Sequence, residues 1–197
     1  MKKKLFFLLS ALFMLALPVQ AMTVTTVGKP IYLSVDGETA TSGDVKFVTK
    51  DGVMRLLSKD GSKDYMSFIN FDGITGQGVD YAIRDVYTTD PVMHLWEITA
   101  TVGAHNKNCG YWLVGKAWDN NYVAYVTHVS FINLGFTSRE WHQIRSELVN
   151  GQLLITSSHT YLPFGKKYEY EAVSTDDFRV QTFWDENSKW FGLRKIF

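Results

Sequence analysis

Trp141-His142-Gln143-Ile144-Arg145-Ser146-Glu147-Leu148-Val149-Asn150-Gly151-Gln152-Leu153-Leu154-Ile155 is the stretch that decides the fold. Asn150-Gly151 stands between two apolar runs. Asn and Gly both tolerate positive φ, which a two-residue type I′ turn requires at both central positions, so the stretch reads first as a β-hairpin. It also supports a second reading. Thr137 and Glu140 have capping-box spacing, and Trp141, Ile144 and Leu148 recur on one helical face, with Asn150-Gly151 as a C-terminal stop. One short helix around 138–149 is therefore the alternative to the hairpin.

Working outward, the rest of the chain reads as strands. Residues 23–27 and 31–35 are β-branched runs split by Gly28-Lys29-Pro30, and 45–49 and 53–57 flank the turn Lys50-Asp51-Gly52. Residues 65–71 and 79–87 follow. Residues 92–102 alternate at period two, with Val92, His94, Trp96, Ile98, Ala100 and Val102 on one face, the pattern of a half-buried strand. Residues 111–118 are apolar on both faces and read as central. Residues 122–136 read as one long aromatic strand. Residues 153–161, 168–173, 178–184 and 190–196 complete the set, the last two flanking Asp185-Glu186-Asn187-Ser188. Pro30, Pro91 and Pro163 all fall at strand starts or turns, where a residue without an N–H is tolerated. Many short runs with short turns predict an all-β antiparallel fold, a two-sheet β-sandwich in first place and a closed β-barrel as the alternative.

The ends and totals bound the function. Lys2, Lys3 and Lys4, the apolar run 5–17 and Pro18-Val19-Gln20-Ala21 form a Sec-type export signal, with Val at −3 and Ala at −1 of the expected cut. The apolar run is too short for a membrane span of about 20 residues. Removing residues 1–21 from 197 leaves 176, which fits a single domain able to bury about two-thirds of its unfolded surface. The three lysines removed leave 17 basic against 20 acidic residues, a balance that argues against a nucleic-acid partner. Cys109 is the only cysteine, so no intrachain disulfide can form.

Chemical motifs are sparse. Cys109 leads into a strand rather than a helix N-terminus, and reads as a buried thiol rather than a nucleophile partnered by His105, His128, His142 or His159. The five histidines include no pair at metal-ligand spacing, and His94 and His128 read as hydrogen-bonded core histidines. Asp60-x-Ser62-x-Asp64 starts like a calcium loop, but Tyr65 replaces the needed glycine and Phe71 the needed glutamate, so it reads as a hairpin turn. Glu169 and Glu171 share one strand face and read as an exposed edge rather than a glycosidase pair. No cofactor or metal is implied.

Aromatic load is the feature that points to a ligand. All six tryptophans follow residue 21. Trp96 and Trp112 read as core. Trp118, Trp184 and Trp190 adjoin polar turns and are the candidate ligand-binding residues, because a flat indole stacks on the apolar C–H face of a sugar. The segment from Trp141 to Ile155 also resembles a hairpin common in laminin-G and related concanavalin-like jelly rolls. It departs from them at Thr156-Ser157-Ser158, where an Asp-Gly turn is usual. The resemblance implies a jelly-roll sandwich and glycan or protein binding. The C-terminal strand, with Phe191, Leu193 and Phe197 on one face, resembles the closing strand of bacterial outer-membrane barrels, although Arg194 and Lys195 interrupt both faces. The chain is therefore expected to be an exported, non-catalytic envelope binding protein, periplasmic or extracellular, with a glycan or cell-envelope partner. The alternatives are an outer-membrane barrel or an envelope hydrolase using Cys109 or a carboxylate.

Overall fold

The computed structural model describes residues 21–34, 36–69, 78–103, 107–136, 143–161, 163–168, 171 and 173–196, without the side chains of 107, 143, 159–161 and 174–177. The expected leader apart from Ala21, together with His105, Trp141, His142, Glu169 and Phe197, lies outside the described residues.

In chain order the first strands are β1 (Val24–Val27), β2 (Ile31–Leu33), β3 (Thr39–Ser42), β4 (Val45–Lys50), β5 (Val53–Ser58) and β6 (Asp64–Phe68). They are followed by β7 (Val79–Thr88), β8 (His94–Val102), β9 (Lys107–Lys116) and β10 (Tyr122–Val126). A short helix, α1 (His128–Asn133), precedes β11 (Gln143–Val149), β12 (Gln152–Tyr161), β13 (Val173–Asp185) and β14 (Trp190–Lys195).

The central hairpin is β11–β12, paired antiparallel from Val149↔Gln152 to Gln143↔Ser158. Asn150 (φ 50°) and Gly151 (φ 75°) both take the positive φ of a type I′ turn. The alternative helix over 138–149 is thus corrected: from Gln143 onward the chain is a strand. The helix lies instead inside the stretch read as one long strand, 122–136. Thr127 Oγ1 accepts from Val129 N–H at 3.2 Å, and Ser130 Oγ accepts from Thr127 N–H at 3.1 Å, a reciprocal capping box. Gly135, at φ 86°, donates to Ile132 O and ends it. Phe131 is its buried anchor. His128 therefore sits on this helix and not on a strand face; burial holds its imidazole below the ordinary histidine range. The strand expected at 168–173 is also corrected. Glu171 donates its N–H to Tyr168 O in a turn, and β13 starts only at Val173.

All pairings are antiparallel, and among the described residues they form three sheets, none closed into a barrel. The barrel alternative is corrected by this. The sandwich class holds, with three sheets in place of the expected two. The first sheet runs β1-β7-β8-β9-β10, with β2 also on β7; the second is β3-β4-β5-β6; the third is β11-β12-β13-β14. Alternate side chains of the first sheet feed two separate cores. Tyr81, Ile83, Trp96, Ile98, Trp112 and Val114 join Phe47, Met54, Leu56 and Phe68 of the second sheet. Val86, Leu95, Tyr111 and Leu113 join Leu153, Ile155, Val180 and Phe191 of the third, together with Phe131. Each fully buried side chain of this size stabilises the fold by about 1.5–3 kcal/mol. The middle of β8, from Leu95 to Ile98, is buried on both faces, so the expected half-exposed strand is a central one. β9 is central as its two-faced apolar run suggested, with Tyr111 to Val114 all buried.

Candidate functional site

Four segments meet around an open cleft of about 650 Å³. Met22 comes from just before β1, and Asp90 and Met93 from the β7–β8 connection. Lys116 ends β9, and Trp118 and Asn120 stand on the turn to β10. Trp184 is the penultimate residue of β13, and Glu186 and Lys189 stand on the turn to β14. The first sheet thus supplies one wall and the third sheet the other.

Trp118 is held out into the cleft by its turn. Asn120 N–H donates to Ala117 O at 2.9 Å, and Ala117 N–H to Asn121 O at 2.8 Å. Asp119 caps the turn by accepting from the Asn121 backbone at 3.0 Å and its amide side chain at 2.7 Å, and these bonds hold its carboxyl below the usual carboxylate range. Asn120 takes φ 64°, so the turn reverses sharply and leaves the indole 84% exposed. Trp184 is half-buried, its ring 4.9 Å from Phe191 and 6.4 Å from Tyr125. Trp190 does not line the cleft. Its indole N–H donates to Tyr125 O at 3.0 Å and its ring stacks edge-on to Tyr125 at 4.8 Å, which ties β14 to β10. Of the three candidate tryptophans, two therefore share one cavity and the third lies outside it.

Charged groups ring the indoles in pairs. Lys116 pairs with Asp44 and lies 5.3 Å over the Tyr122 ring. Lys189 donates to Glu186 at 2.6 Å, and this bond holds the Glu186 carboxyl below the usual range. The arrangement offers an apolar platform edged by donors and acceptors, the make-up of a small-ligand site.

The other candidates are placed elsewhere. Cys109 is the extra residue of a β-bulge: Ala100 pairs with Gly110 and Thr101 with Asn108, which leaves Cys109 between them, buried in the first core. The thiol there is 2% exposed. Glu171 accepts from the Lys167 and Tyr168 N–H groups and pairs with Lys166, so it serves its own turn. Among the described residues no group of His, Cys, Asp and Glu is placed to hold a metal ion.

The Asp60 turn is self-contained. Its carboxylate accepts from Ser58 Oγ at 2.6 Å, Ser62 N–H at 3.1 Å and Ser62 Oγ at 2.8 Å, which brings its pKa down to about 2. A carboxyl depressed in the folded state stabilises it above the unfolded value near 4, and that contribution is lost as pH falls through about 2. Asp60→Ala is therefore expected to lower the urea midpoint above pH ~4 and to match the wild type near pH ~2. A constant difference across that range would contradict the assignment.

Two polar clusters carry no sequence signature. Asp85 Oδ1 accepts from Ser42 Oγ and lies 2.8 Å from His94 Nε2, while Trp96 Nε1 donates to Ser42 Oγ at 2.9 Å. A serine nucleophile must give its proton to the histidine. Here Ser42 donates to the carboxylate instead, so the cluster ties β3 to β7 and β8. His94 is hydrogen-bonded as expected and stacks on Tyr87 at 4.9 Å. The second cluster joins the first sheet to the third. Arg84 Nε donates to Glu97 Oε2 at 2.8 Å, Tyr111 Oη donates to Glu97 Oε1 at 2.8 Å, and Ser146 bonds both Glu97 and Arg84. Burial, and then the Glu97 charge, push the Tyr111 phenol well above its ordinary range.

No protein-family model, no curated protein and no solved structure matches this chain, so the cleft is read from its geometry alone.

Proposed function

We propose that this protein is an exported, non-catalytic binding protein of the cell envelope that takes carbohydrate or cell-wall glycan in the Trp118–Trp184 cleft. The observation that carries the reading is the sharing of one cavity of about 650 Å³ by two indoles, one of them 84% exposed on a hydrogen-bonded turn. Two indoles lining one concavity give an apolar face that a ligand can cover. Saccharides match the mixture offered: C–H faces for the indoles, hydroxyls for Asp90, Asn120 and the paired charges. The N-terminal basic and apolar run supports export, and the burial of Cys109 and the Ser42–Asp85 bonding support binding over catalysis.

Co-sedimentation of the exported protein with insoluble peptidoglycan and a panel of polysaccharides tests the reading. Trp118→Ala is expected to weaken binding about tenfold, equivalent to about 1.4 kcal/mol, while leaving the thermal midpoint unchanged. Trp184→Ala is expected to weaken binding and lower the midpoint, since its ring also packs on Phe191. Undiminished binding by Trp118→Ala would place any glycan site elsewhere.

A further inference from the structure

The expected cut after Ala21 falls at the edge of the cleft. Ala21 is exposed, and from Thr23 onward the chain is fixed: Thr23 N–H donates to Thr89 Oγ1 at 3.1 Å, Thr89 N–H to Thr23 O at 2.8 Å, and Val24 N–H to Gly151 O at 2.7 Å. Met22, between them, lines the cavity, and its backbone N–H donates to the Glu186 carboxylate. That nitrogen is a neutral amide in the unprocessed chain. Cleavage would convert it to an α-ammonium with three N–H donors at the same place.

We infer that processing installs the Met22 α-ammonium as a charged group of the Trp118–Trp184 cleft, seated on Glu186, so that the binding site is complete only in the processed chain. The inference rests on reading the cleft as the ligand site. The charges facing the new amine are Glu186 and Lys189 from the β13–β14 turn, Asp90 from the β7–β8 connection and Lys116 from β9. Lys116 is paired with Asp44, and Lys189 and the Trp184 side chain share Glu186 with the Met22 nitrogen. The processed cleft therefore carries one more positive charge than the unprocessed one, and one more group that can donate to a ligand hydroxyl or carboxylate.

The test uses exported, processed protein in three forms: wild type, Glu186→Gln, and an insertion of Gly-Ser between Ala21 and Met22 that moves the amine about 7 Å along the chain. Intact mass reads the first residue, and the pH dependence of α-amine acylation reads the amine's titration. In wild type the midpoint is expected about one pH unit above the ordinary 7.7–8.0. It is expected to return to the ordinary range in Glu186→Gln and in the insertion. Co-sedimentation with peptidoglycan is expected to drop severalfold in the insertion. The same midpoint in all three forms, or a wild-type first residue other than Met22, would overturn the inference. A raised midpoint without binding to peptidoglycan or any polysaccharide would uphold the seat on Glu186 and overturn the glycan reading.

Discussion

Arg84→Met is expected to lower folding stability by about 3 kcal/mol, with the urea midpoint displaced and the slope unchanged. Glu97 sits at the centre of β8 with its side chain only 1% exposed. It faces Arg84 directly across the β7–β8 ladder. Taking a carboxylate out of water is tolerated when it is paired and its remaining lone pairs are used. Arg84 supplies the charge, and Tyr111 and Ser146 take the other oxygen. Methionine at 84 would fill much of the volume of the arginine stem but leave Glu97 with two neutral donors. The Arg84 side chain is 25% exposed, so water can partly replace it, which puts the expected cost at the low end of the 3–5 kcal/mol typical of a broken buried pair.

The partner substitution distinguishes an ion pair from simple packing. In Arg84→Met/Glu97→Leu both charges are gone, and the remaining penalty is two hydroxyls, Tyr111 and Ser146, short of one acceptor. Each costs on the order of 1 kcal/mol. The double variant is thus expected to be no less stable than Arg84→Met alone, and adding Tyr111→Phe should recover more. Strict additivity of the single effects would show that the four groups do not act as one network. The network also bears on the cleft. Ser146 belongs to the third sheet and the other three groups to the first, and these two sheets carry Trp184 and Trp118 respectively. Loosening the seat between them is expected to blur the spacing of the two indoles.

Local turn chemistry was legible in the sequence because it depends on two residues at a time. Asn150-Gly151 and Asp51-Gly52 announce hairpins, and both pairs do adopt positive φ. The helix escaped because residues 122–136 are rich in β-branched and aromatic side chains, and six residues are too few to show a 3.6-residue period. Its cap uses Ser130 where the familiar signature has Glu or Gln, so Thr127 and Gly135 did not stand out as a pair. The number of sheets was hidden for another reason. Alternation along β8 tells which side chains share a face but not whether the second face meets water or another sheet. Glu97 stands on that second face, and its partners Arg84, Tyr111 and Ser146 are brought to it only by pairing and sheet packing. The same holds for the cleft. Trp118 and Trp184 could each be assigned to a turn, but their meeting, and that of Met22 with Glu186, is a product of how the first and third sheets are stacked.

Gly110→Ala is expected to destabilise the fold by about 2–3 kcal/mol, although it adds one methyl group to an ordinary strand position. Gly110 lies in β9 just after the Cys109 bulge, pairs with Ala100, and is absent from the residues with positive φ, so its backbone does not require glycine. Space does. The Trp112 indole lies back along the strand over Gly110, and a Cβ there would stand 2.1 Å from Cη2 and 2.5 Å from Cζ3 of that ring. Ordinary contact is about 3.5–4.0 Å, so the ring would have to move by more than an ångström. It is not free to do so: Trp112 is buried in the first core and packs edge-on to Phe68 at 5.4 Å. The opposing effect is smaller, since alanine lowers the entropy of the unfolded chain and favours folding by about 0.4–1 kcal/mol where the backbone accepts it. These two terms predict a change of sign with context. In a Trp112→Leu background the overlap disappears, and adding Gly110→Ala there is expected to be neutral or to raise the thermal midpoint by a few degrees. If Gly110→Ala costs the same with leucine at 112 as with tryptophan, the glycine is required by the bulge and not by the indole that covers it.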